Sequence, residues 1–547
     1  MKKLFLLLIL LAVTTNAGTI NVPGDYADIQ TAINNASILG DTVLVAPGRY
    51  YENIRFYGKN VVVASNYIIS NDPADILATI IDGSQYSHID SAATVSMIDG
   101  ETNAAEFVGF VVTGGEGSII FGPREGGGIN IDHASPTIRN NVIVGNNATA
   151  LSGGTYRGGG GLNIRNSSTL LRDNIIMWNK GYHYAGGLLI QQQAINVENN
   201  IIAQNDGGFF TGTYLGGGGV YNYVTAGAVK FFNNVVADNY AARCGGIRGV
   251  TSGNAHVRNC IVRNNSNDQI LLTSTSSVAF QSLYSNIEGG YSGFTIDNID
   301  DTVEFSERYE ILSTSTSVDA GDTTTIYNDI EDTLNIGYAQ SPSYGTIRND
   351  LGVYGGPTPL MKLPIATYLS PIFTILNPSV INYTEPDSLQ PVTVDIVVKN
   401  EGIAPGIIDS ITSNSAGVLL PATSVKLLFE DTLQVMWTPT IFDDITDTLN
   451  IYHNDPNLES PQILIFNYTP PNCCRGIRGN VDNDTSDMID ISDLVYLVDY
   501  MFSGGAVPSC DVEANIDADA GGTIDISDLV SLVDFMFSGG PAPLACS

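Results

Sequence analysis

Basic side chains are scarce in this chain, which has 23 Lys and Arg against 57 Asp and Glu and a formal net charge of −34. Proteins that bind nucleic acid through a broad surface need clustered Lys and Arg, so this class is excluded. The same shortage excludes docking on anionic lipid through a polybasic segment. Beyond the N-terminus no apolar run reaches the roughly 18 residues of a membrane-spanning helix. We therefore expect neither a nucleic-acid partner nor membrane insertion.

Charged residues of both signs are also few, at 15%, whereas glycine is abundant, with 57 residues. This composition is typical of a β-rich chain with many turns rather than of helical bundles. With 43% hydrophobic residues the chain can bury a core, which excludes general disorder. A length of 547 residues predicts two to four domains.

The N-terminus predicts export. Lys2 and Lys3 precede the apolar run Leu4–Val13, and small residues follow it up to Ala17. This pattern is typical of a secretory signal peptide, which we place at residues 1–17. A lipoprotein or an uncleaved anchor is the weaker alternative, since no Cys follows the apolar run. We expect a secreted protein, extracellular or at the cell surface, in which disulfides are permitted.

Internal repeats organise the middle of the chain. The pattern Asn-[Ile/Val]-[Ile/Val]-x-x-Asn recurs at intervals of 33, 26, 34 and 26 residues, and each copy follows a glycine-rich run. The copies begin at Asn141, Asn174, Asn200, Asn234 and, with the first Asn replaced, Cys260. A weaker copy, Gly-Phe-Val-Val from Gly109, lies one period earlier. Short β-branched runs between turns at this spacing predict the coils of a β-solenoid, in which recurring Asn side chains hydrogen-bond from coil to coil.

The flanks of the repeat support a more specific assignment. Ile29–Ala36 has helical spacing, and the segments Val-Asp-Ala-Gly-Asp (318–322) and Asp-Leu-Gly-Val-Tyr-Gly-Gly-Pro (350–357) are typical of the closing end of bacterial surface β-helices. In these features residues 18–357 resemble the right-handed parallel β-helix of the pectin-lyase-like superfamily. The resemblance implies a fold but not a reaction, because the superfamily includes lyases, hydrolases, esterases and non-catalytic surface proteins.

Loops of variable length between the copies are the candidate site for a polysaccharide. They combine aromatic rings, which stack on sugar faces, with cations, which pair with uronate carboxylates. The candidate substrate-binding residues are Tyr156, Tyr182, His183, Tyr184, Phe209, Phe210, Tyr214 and Tyr240. The candidate catalytic residues are Arg157, Lys180 and Arg243. The alternative interpretation is that the rings only cover the flank of the solenoid and the cations balance nearby acids.

A β-elimination on a uronan is the enzymatic reaction that these loops favour. Lys180 or Arg157 could remove the proton beside the uronate carboxylate, while a Ca²⁺ ion held by Asp206 or Asp238 neutralises that carboxylate. A glycosidase would need two carboxylates across the scissile bond, and no known motif of that kind is recognisable in the sequence.

Two further modules follow the solenoid. Residues 358–372 form a Pro-containing linker. Residues 373–469 alternate apolar and polar residues in short runs such as Val392–Val398, as a β-sandwich does. Asn400-Glu-Gly, Trp437-Thr-Pro and Asn454-Asp-Pro are similar to motifs of the immunoglobulin-like domains of bacterial surface proteins. We expect this module to be a spacer.

The C-terminal residues 470–547 contain a duplicated acidic motif. Asn-x-Asp-x-Asp begins at Asn480 and again at Asn515, and each copy leads through Ile-Asp-Ile-Ser-Asp into an apolar helical run. Oxygen ligands at loop positions 1, 3 and 5 with a closing carboxylate predict an EF-hand-type Ca²⁺ site. Two such units in tandem resemble a type I dockerin, which implies a cohesin-type partner and two bound Ca²⁺ ions.

The resemblance assigns roles to individual residues. The implied Ca²⁺ ligands are Asn480, Asp482, Asp484, Met488 and Asp493 in the first loop, and Asn515, Asp517, Asp519, Thr523 and Asp528 in the second, Met488 and Thr523 through their carbonyls. The implied cohesin-recognition residues are Ile491, Ser492, Ile526 and Ser527. Each loop departs from the usual pattern because it has 14 residues from the first ligand to the last, both included, instead of about 12. The alternative is a pair of solvated acidic turns without metal.

Cysteines bracket this small module. Cys473, Cys474, Cys510 and Cys546 predict one or two disulfides, whose pairing the sequence leaves open. In the solenoid, Cys244 and Cys260 are either bridged or simply buried.

The sequence as a whole predicts a mainly β protein: a right-handed parallel β-helix, then a β-sandwich, then a small α-helical EF-hand-like dockerin module. We expect it to bind or degrade an extracellular, acidic polysaccharide; if it is an enzyme, a uronan lyase is favoured over a glycoside hydrolase. The alternative is a non-catalytic surface adhesin or structural β-helix protein.

Overall fold

A computed structural model provides the fold of the chain. It describes residues 17–88, 91–118, 125–149, 158–193, 195–208, 216–250, 254–272, 280–291, 293–364, 368–377, 380–383, 392–412, 418–419, 425–427, 430–437, 445–468, 474, 477–482, 488–519 and 521–546. The chain divides into two compact units: residues 1–369 together with 402–405, and residues 370–401 together with 406–547. No helix among these residues is long and apolar enough to cross a membrane.

The repeats form a parallel β-solenoid, which confirms the predicted stacked coils. Each full coil supplies one short strand to each of three parallel sheets, which we name A, B and C. Within a coil the chain passes first through sheet C, then through sheet A and then through sheet B. Within one coil these strands are Ile129–Asp132, Thr137–Arg139 and Val142–Val144. The strands are short because Gly and Asn turns follow each β-branched run.

The strands of the three sheets span most of the first unit. Sheet A contains Thr19–Val22, Leu39–Val45, Asn60–Ser65, Glu106–Val108, Thr137–Arg139, Leu170–Arg172, Asn196–Glu198, Ala228–Phe232, Asn254–Arg258, Phe280–Leu283 and Phe294–Ile296. Sheet B contains Gly48–Tyr50, Thr79–Asp82, Val111–Thr113, Val142–Val144, Ile175–Met177, Ile201–Ala203, Val235–Ala237, Ile261–Arg263 and Asn286–Ile287. Sheet C contains Ile54–Arg55, Val95–Met97, Ile129–Asp132, Leu162–Arg165, Leu188–Gln193, Val220–Ala226, Ile247–Gly249 and Ile270–Leu272.

One apolar core runs through the solenoid because alternate residues of every strand point inward. Ile131, Ile164 and Ile190 stack in sheet C at paired positions and are buried. Equivalent columns line sheets A and B, so each coil packs on its neighbours rather than on itself.

Two ladders of asparagine side chains confirm the structural interpretation of the repeated Asn residues. In the first ladder the amides of Asn141, Asn174 and Asn200 donate to the carbonyl oxygen of the Asn one coil on, at 3.0–3.1 Å. The second ladder connects the later Asn of each motif in the same way, at 3.0–3.1 Å: Asn146, Asn179, Asn205, Asn239 and Asn265. These amides are buried, and a buried amide without a hydrogen bond would destabilise the fold. Their pairing avoids this loss of stability.

Other side chains end both ladders. Cys260 replaces the Asn after Asn234, and its sulfur accepts from the Asn234 backbone N–H at 3.4 Å. The second ladder ends where Asn265 donates to Oε1 of Gln269 at 2.7 Å. Cys260 and Cys244 are both buried and free, which decides between the two alternatives for this pair.

The weaker copy at Gly109 lies one coil before the Asn141 copy, as predicted. Val111 pairs with Val142 in sheet B, and the Phe110 N–H donates to Oδ1 of Asn141 at 3.0 Å. This run therefore aligns with the Asn motif and not with the glycine-rich strand start, because Phe110 occupies the place of the ladder Asn.

Short helices cap and flank the solenoid. The helix predicted near Ile29–Ala36 spans Ile29–Asn35, and the side chain of Asp28 caps it by accepting from the Thr31 N–H at 2.7 Å. Two further helices span Tyr67–Ser70 and Pro73–Leu77.

The second unit begins with two sheets whose side chains share one buried cluster around Ile396, Leu427 and Leu464. One sheet contains Phe373–Ile375, Val392–Asn400, Val418–Leu419 and Glu430–Trp437. The other contains Val380–Tyr383, Gly406–Thr412, Val425–Leu427, Ile445–His453 and Gln462–Tyr468.

Two similar loop–helix segments complete the second unit. Each has an α-helix, Ile491–Val498 or Ile526–Val533, that continues into a π-helical turn, Asp499–Ser503 or Asp534–Ser538. A short helix, Asp511–Ala514, lies between them. The two long helices pack on a common cluster that includes Leu497 and Leu532.

Candidate functional site

The loops between sheets B and C carry one row of aligned residues. Asn147, Lys180, Asp206 and Tyr240 pair in parallel from coil to coil. Each follows an Asn of the second ladder, so the ladder sets the spacing of the row at about 4.8 Å per coil. The Lys180 ammonium lies 3.4 Å from Oδ2 of Asp206, and Tyr240 is exposed beside them. We call these four residues the loop row.

The acids suggested for a Ca²⁺ ion in the solenoid have different surroundings. Asp206 lies in the loop row next to Lys180. Asp238 instead accepts a hydrogen bond from the Tyr309 hydroxyl at 2.7 Å, and burial raises the pKa of its carboxyl. Tyr309 comes from the closing segment, 71 residues away, which the repeat pattern does not reveal.

The aromatic residues beside the loop row are partly packed. The rings of Tyr182 and His183 meet edge to face with centroids 4.6 Å apart, and His183 is buried. Tyr184 stands 4.8 Å from Tyr221, and both contact a small buried cluster that includes Leu189. The alternative interpretation, in which the rings only cover the flank of the solenoid, therefore applies to His183 and to much of Tyr184. Tyr240, in contrast, is exposed.

A cation that sequence reasoning missed lies next to these rings. Arg248 is fully buried, pairs in register with Tyr221, and donates to the Leu271 carbonyl at 3.4 Å. Burial lowers the pKa of Arg248, and the nearby positive charge of Arg243 lowers it further. Burial raises the pKa of the Tyr221 hydroxyl above its ordinary value. Arg243, a predicted site residue, therefore lies close to a second arginine.

The other predicted loop residues lie outside the described residues. They are Tyr156, Arg157, Phe209, Phe210 and Tyr214.

A second polar cluster lies where sheet C turns into sheet A. The Asp132 carboxylate is buried, accepts from Nη2 of Arg165 at 2.8 Å and lies 2.8 Å from Nδ1 of His133. The Glu125 carboxylate lies 3.8 Å from the same guanidinium and accepts from Gln191 at 3.1 Å. Burial raises the pKa of Glu125, although Arg165 opposes this shift. We call these five residues the turn cluster.

The repeat interval in the sequence is a signal for this cluster. Asp132 and Arg165 are 33 residues apart, the same interval that separates Asn141 from Asn174. Aligning the coils on their Asn residues would have placed this acid and this arginine side by side in sheet C.

The C-terminal loops show the same acid arrangement twice. In the first, both oxygens of Asp493 accept backbone N–H bonds, from Asp482 at 3.1 Å and from Asp490 at 2.8 Å. In the second, Asp528 accepts from Asp517 and Asp525 at the same two distances, 3.1 and 2.8 Å. The two copies therefore adopt the same arrangement of these acids, as their sequences predict.

The second loop is described almost completely. Oδ1 of Asn515 and Oδ1 of Asp517 both accept from the Asp519 N–H, at 3.2 and 3.0 Å. Oδ1 of Asp519 accepts from the Gly522 N–H at 2.9 Å, before Thr523. In the first loop Asn480 is buried and the Met488 side chain is exposed, whereas Asp484 lies outside the described residues.

The donor set of both loops fits a hard divalent cation. Asp493 and Asp528 are buried, and burial raises the pKa of each, with added repulsion from Asp482 and Asp517 respectively. A cation bound by these oxygens would offset that repulsion, and oxygen-only donors suit Ca²⁺ rather than Zn²⁺.

One other group of side chains of metal-binding type lies in the module, but it does not offer a metal site. Within the described residues, the one set of three such groups with ligand atoms within 4.8 Å is Cys474, Glu513 and Cys546. Those two sulfurs form a disulfide and offer no thiolate. Cys510 is also disulfide-bonded, so the module is stapled as expected; Cys473 lies outside the described residues.

Each long helix of the module presents an apolar stripe to solvent. The exposed residues follow a spacing of four, three and four: Ile491, Val495, Val498 and Phe502 in one helix, and Ile526, Val530, Val533 and Phe537 in the other. A groove of about 560 Å³ runs beside the first helix, and Ser492, Val495 and Val498 contribute to its lining. The predicted recognition residues Ile491 and Ile526 are therefore accessible, and each begins its stripe.

Comparisons with known proteins do not identify a family. No protein-family model and no curated protein matches the chain. Among solved structures, a pectin methylesterase in complex with a hexasaccharide is 9% identical over 55% of this chain and 85% of its own, with a TM-score of 0.23. A mutant pectin methylesterase, also in complex with a hexasaccharide, is 10% identical over 52% and 93%, with a TM-score of 0.22.

A third solved structure, the YadV chaperone, is 14% identical over 21% of this chain, with a TM-score of 0.15. The chain spans 56% of the length of that chaperone. The parallel solenoid rests on the strand pairing described above and not on these overlaps.

Proposed function

We propose that this protein is exported, binds or degrades an extracellular polysaccharide through its solenoid, and is attached to a cohesin-type partner by a Ca²⁺-dependent dockerin module. The loop row is the observation that carries the first part. It places a cation, an acid and an exposed ring at regular coil spacing on a stiff scaffold. A regular row of this kind suits an extended polymer, and Lys180 and Tyr240 offer the contacts that an acidic sugar chain needs.

In the enzymatic form of this proposal the reaction is a β-elimination on a uronan. Lys180, Arg157 or Arg243 would remove the proton beside the carboxylate. A Ca²⁺ ion held near Asp206 would supply neutralisation of the uronate carboxylate when bound.

Binding and cleavage are tested separately. Affinity electrophoresis of the full chain in gels containing pectate, alginate or chondroitin sulfate measures binding. The absorbance of unsaturated products measures elimination. We expect Tyr240→Ala and Lys180→Ala to weaken retardation, whereas Lys230→Ala, an exposed lysine on sheet A, leaves it unchanged. Retardation without any product would favour the non-catalytic adhesin, and the absence of both would refute the polysaccharide proposal.

The attachment module is proposed to bind two Ca²⁺ ions. Asn480, Asp482, Asp484, Asp493 and the Met488 carbonyl would hold one, and the equivalent residues from Asn515 to Asp528, including the Thr523 carbonyl, would hold the other. Bound Ca²⁺ would neutralise clustered carboxylates and fix each loop against its helix.

Calorimetry on the full chain tests this module. We expect uptake of two Ca²⁺ ions and of one after the double change Asp517→Ala and Asp519→Ala. Asp534→Ala is the matched control, since this acid lies on the π-helical turn beyond the second loop. No heat of Ca²⁺ binding by the intact chain would overturn the assignment.

The partner is proposed to bind the helix starts. Ile491, Ser492, Ile526 and Ser527 would contact a cohesin, and the two exposed stripes give an apolar surface for it. Binding to a type I cohesin should require Ca²⁺ and should fall when the four residues are replaced together by Ala. Unchanged binding would exclude these residues as the contact.

The remaining segments take supporting roles in the proposal. Residues 1–17 would be removed on export, and the two sheets between Phe373 and Tyr468 would act as an immunoglobulin-like spacer. Their shared buried cluster is consistent with a β-sandwich.

A further inference from the structure

The turn from sheet C to sheet A carries a histidine where neighbouring coils carry amides. His133, Asn166 and Gln192 occupy equivalent turn positions, with φ of 53°, 48° and 73°. They align because the His133 N–H donates to the Arg165 carbonyl at 3.1 Å and the Asn166 N–H to the Gln191 carbonyl at 3.2 Å. Asparagine is the commonest non-glycine choice for this left-handed backbone. Histidine also tolerates this backbone, so the backbone preference permits His133 without requiring it.

The His133 ring lies against a buried acid. Its Nδ1 lies 2.8 Å from Oδ1 of Asp132, and the exposed fraction of the side chain is 68% for His133 but 1% for Asp132. Among the described residues Nε2 has no hydrogen-bond partner. A carboxylate that accepts from Nδ1–H leaves the lone pair of a neutral imidazole on Nε2, which is the arrangement of a general base.

Positive charge and amide groups surround this histidine. Arg165 lies one coil away, pairs with the second oxygen of Asp132 at 2.8 Å, and reaches towards Glu125. Gln191 and Asn166 add donors and acceptors along the same turn. A base and amides within three coils provide two things that a uronate in a sugar chain would need: proton removal and hydroxyl contacts.

We propose that His133 is the general base of the elimination and Asp132 its positioning residue, a proposal that rests on the enzymatic form of the proposed function. Nε2 takes the proton from the carbon beside the uronate carboxylate. The electrons of that C–H bond form a C=C bond, and the bond from the neighbouring carbon to the glycosidic oxygen breaks. The imidazolium or water returns a proton to the leaving oxygen, so no other reactant is consumed.

The turn cluster suits this role better than the loop row does. Lys180 is ion-paired with Asp206, and a lysine acts as a base only after it loses its proton. A neutral imidazole needs no such step.

His133→Asn is the decisive variant because Asn166 already occupies the same turn position one coil on. With pectate, alginate and chondroitin sulfate as probes, we expect it to slow formation of unsaturated product by about 10²–10⁴-fold while the melting temperature stays unchanged. Lys230→Ala, at the exposed lysine of sheet A, should leave elimination unchanged. His88→Asn, a change at an exposed histidine 45 residues earlier in the chain, is the control for general effects.

The tautomer of the His133 ring reports whether Asp132 positions that ring. In protein labelled with ¹⁵N-histidine, the neutral His133 ring should carry its proton on Nδ1, and Asp132→Asn should shift the ring towards the other tautomer. A merely structural Asp132 would leave the tautomer of a folded variant unchanged.

The outcomes separate the two proposals. If the wild-type chain forms product and His133→Asn forms it at a similar rate, His133 is not the base, while the proposed function stands. If the wild-type chain forms no unsaturated product with any of the three polymers, elimination is excluded and the assignment of His133 falls with it. If Lys180→Ala alone abolishes product formation, the base lies in the loop row.

Discussion

Asp173 gives the sharpest test of how the solenoid is stabilised. It occupies a column of left-handed residues just before the first ladder, in which the other coils carry asparagine: Asn140, Asn199, Asn233 and Asn259. Its carboxyl is almost completely buried, and its Oδ1 has no hydrogen-bond partner among the described residues. Replacing it with Asn would repeat the choice of the neighbouring coils and remove one buried charge.

The size of the expected stability difference follows from the pKa of the Asp173 carboxyl. Burial raises the pKa of Asp173 to about 7 from an ordinary 3.8, although Arg172, 3.3 Å away, opposes the shift. A raised pKa means that the folded state binds the proton more tightly. This contribution to stability is complete below pH 4 and is lost as the pH rises through 7. Three pH units at about 1.4 kcal/mol each give a loss of roughly 4 kcal/mol.

Calorimetric melting of the wild-type chain and Asp173→Asn at pH 4 and pH 8 measures this loss. The two chains should melt at similar temperatures at pH 4, and the variant should be the more stable by several degrees at pH 8. Comparing the two chains at each pH cancels the titration of every other group. A variant that gains no advantage at pH 8 would show that Asp173 is not buried as a costly charge.

Three further predictions concern the interior of the solenoid. Asn205→Ala removes a ladder amide that bonds Asn179, Asn239 and the Ile176 carbonyl, and should lower the free energy of unfolding by at least about 3 kcal/mol in denaturant titrations; a change below 1 kcal/mol would contradict the ladder. Asn222 is buried with neither amide atom hydrogen-bonded among the described residues, so Asn222→Leu should raise the melting temperature, and a lower one would point to an unrecognised partner. Burial raises the pKa of the Cys244 and Cys260 thiols to about 12, so peptide mapping after iodoacetamide at pH 8 should find both unmodified in native protein and modified in denaturant.

The repeat made the solenoid predictable, because its signals are local. A ladder Asn, the β-branched pair after it and the glycines before the next strand recur within one coil, so a short pattern specifies the stacking. The fate of Cys260 was less predictable, because a free thiol and a bridge have the same sequence signature.

Side chains on the outer faces were harder to place. His133, Asp132 and Arg165 form one cluster only after the coils are aligned, and the closing segment brings Tyr309 to Asp238 from 71 residues away. In the loops, the packing of Tyr184 on Tyr221 depends on how each loop folds over its neighbour, which composition does not specify. The duplicated C-terminal motif was clearer, since two copies of the same acids give the same pair of bonds to Asp493 and Asp528.

The asparagine ladders also determine how such a chain can change its length. Each rung needs one donor and one acceptor from the adjoining coils, and Gln269 closes the second ladder without a further Asn. Whole coils, which here have lengths such as 26, 33 and 34 residues, are therefore the units that can be inserted or removed, because a partial coil would break both ladders and turn core residues outward. Each added coil would lengthen the loop row by about 4.8 Å and leave both ends of the solenoid intact. The reach of this surface along a polymer is thus adjustable by gene duplication in discrete steps.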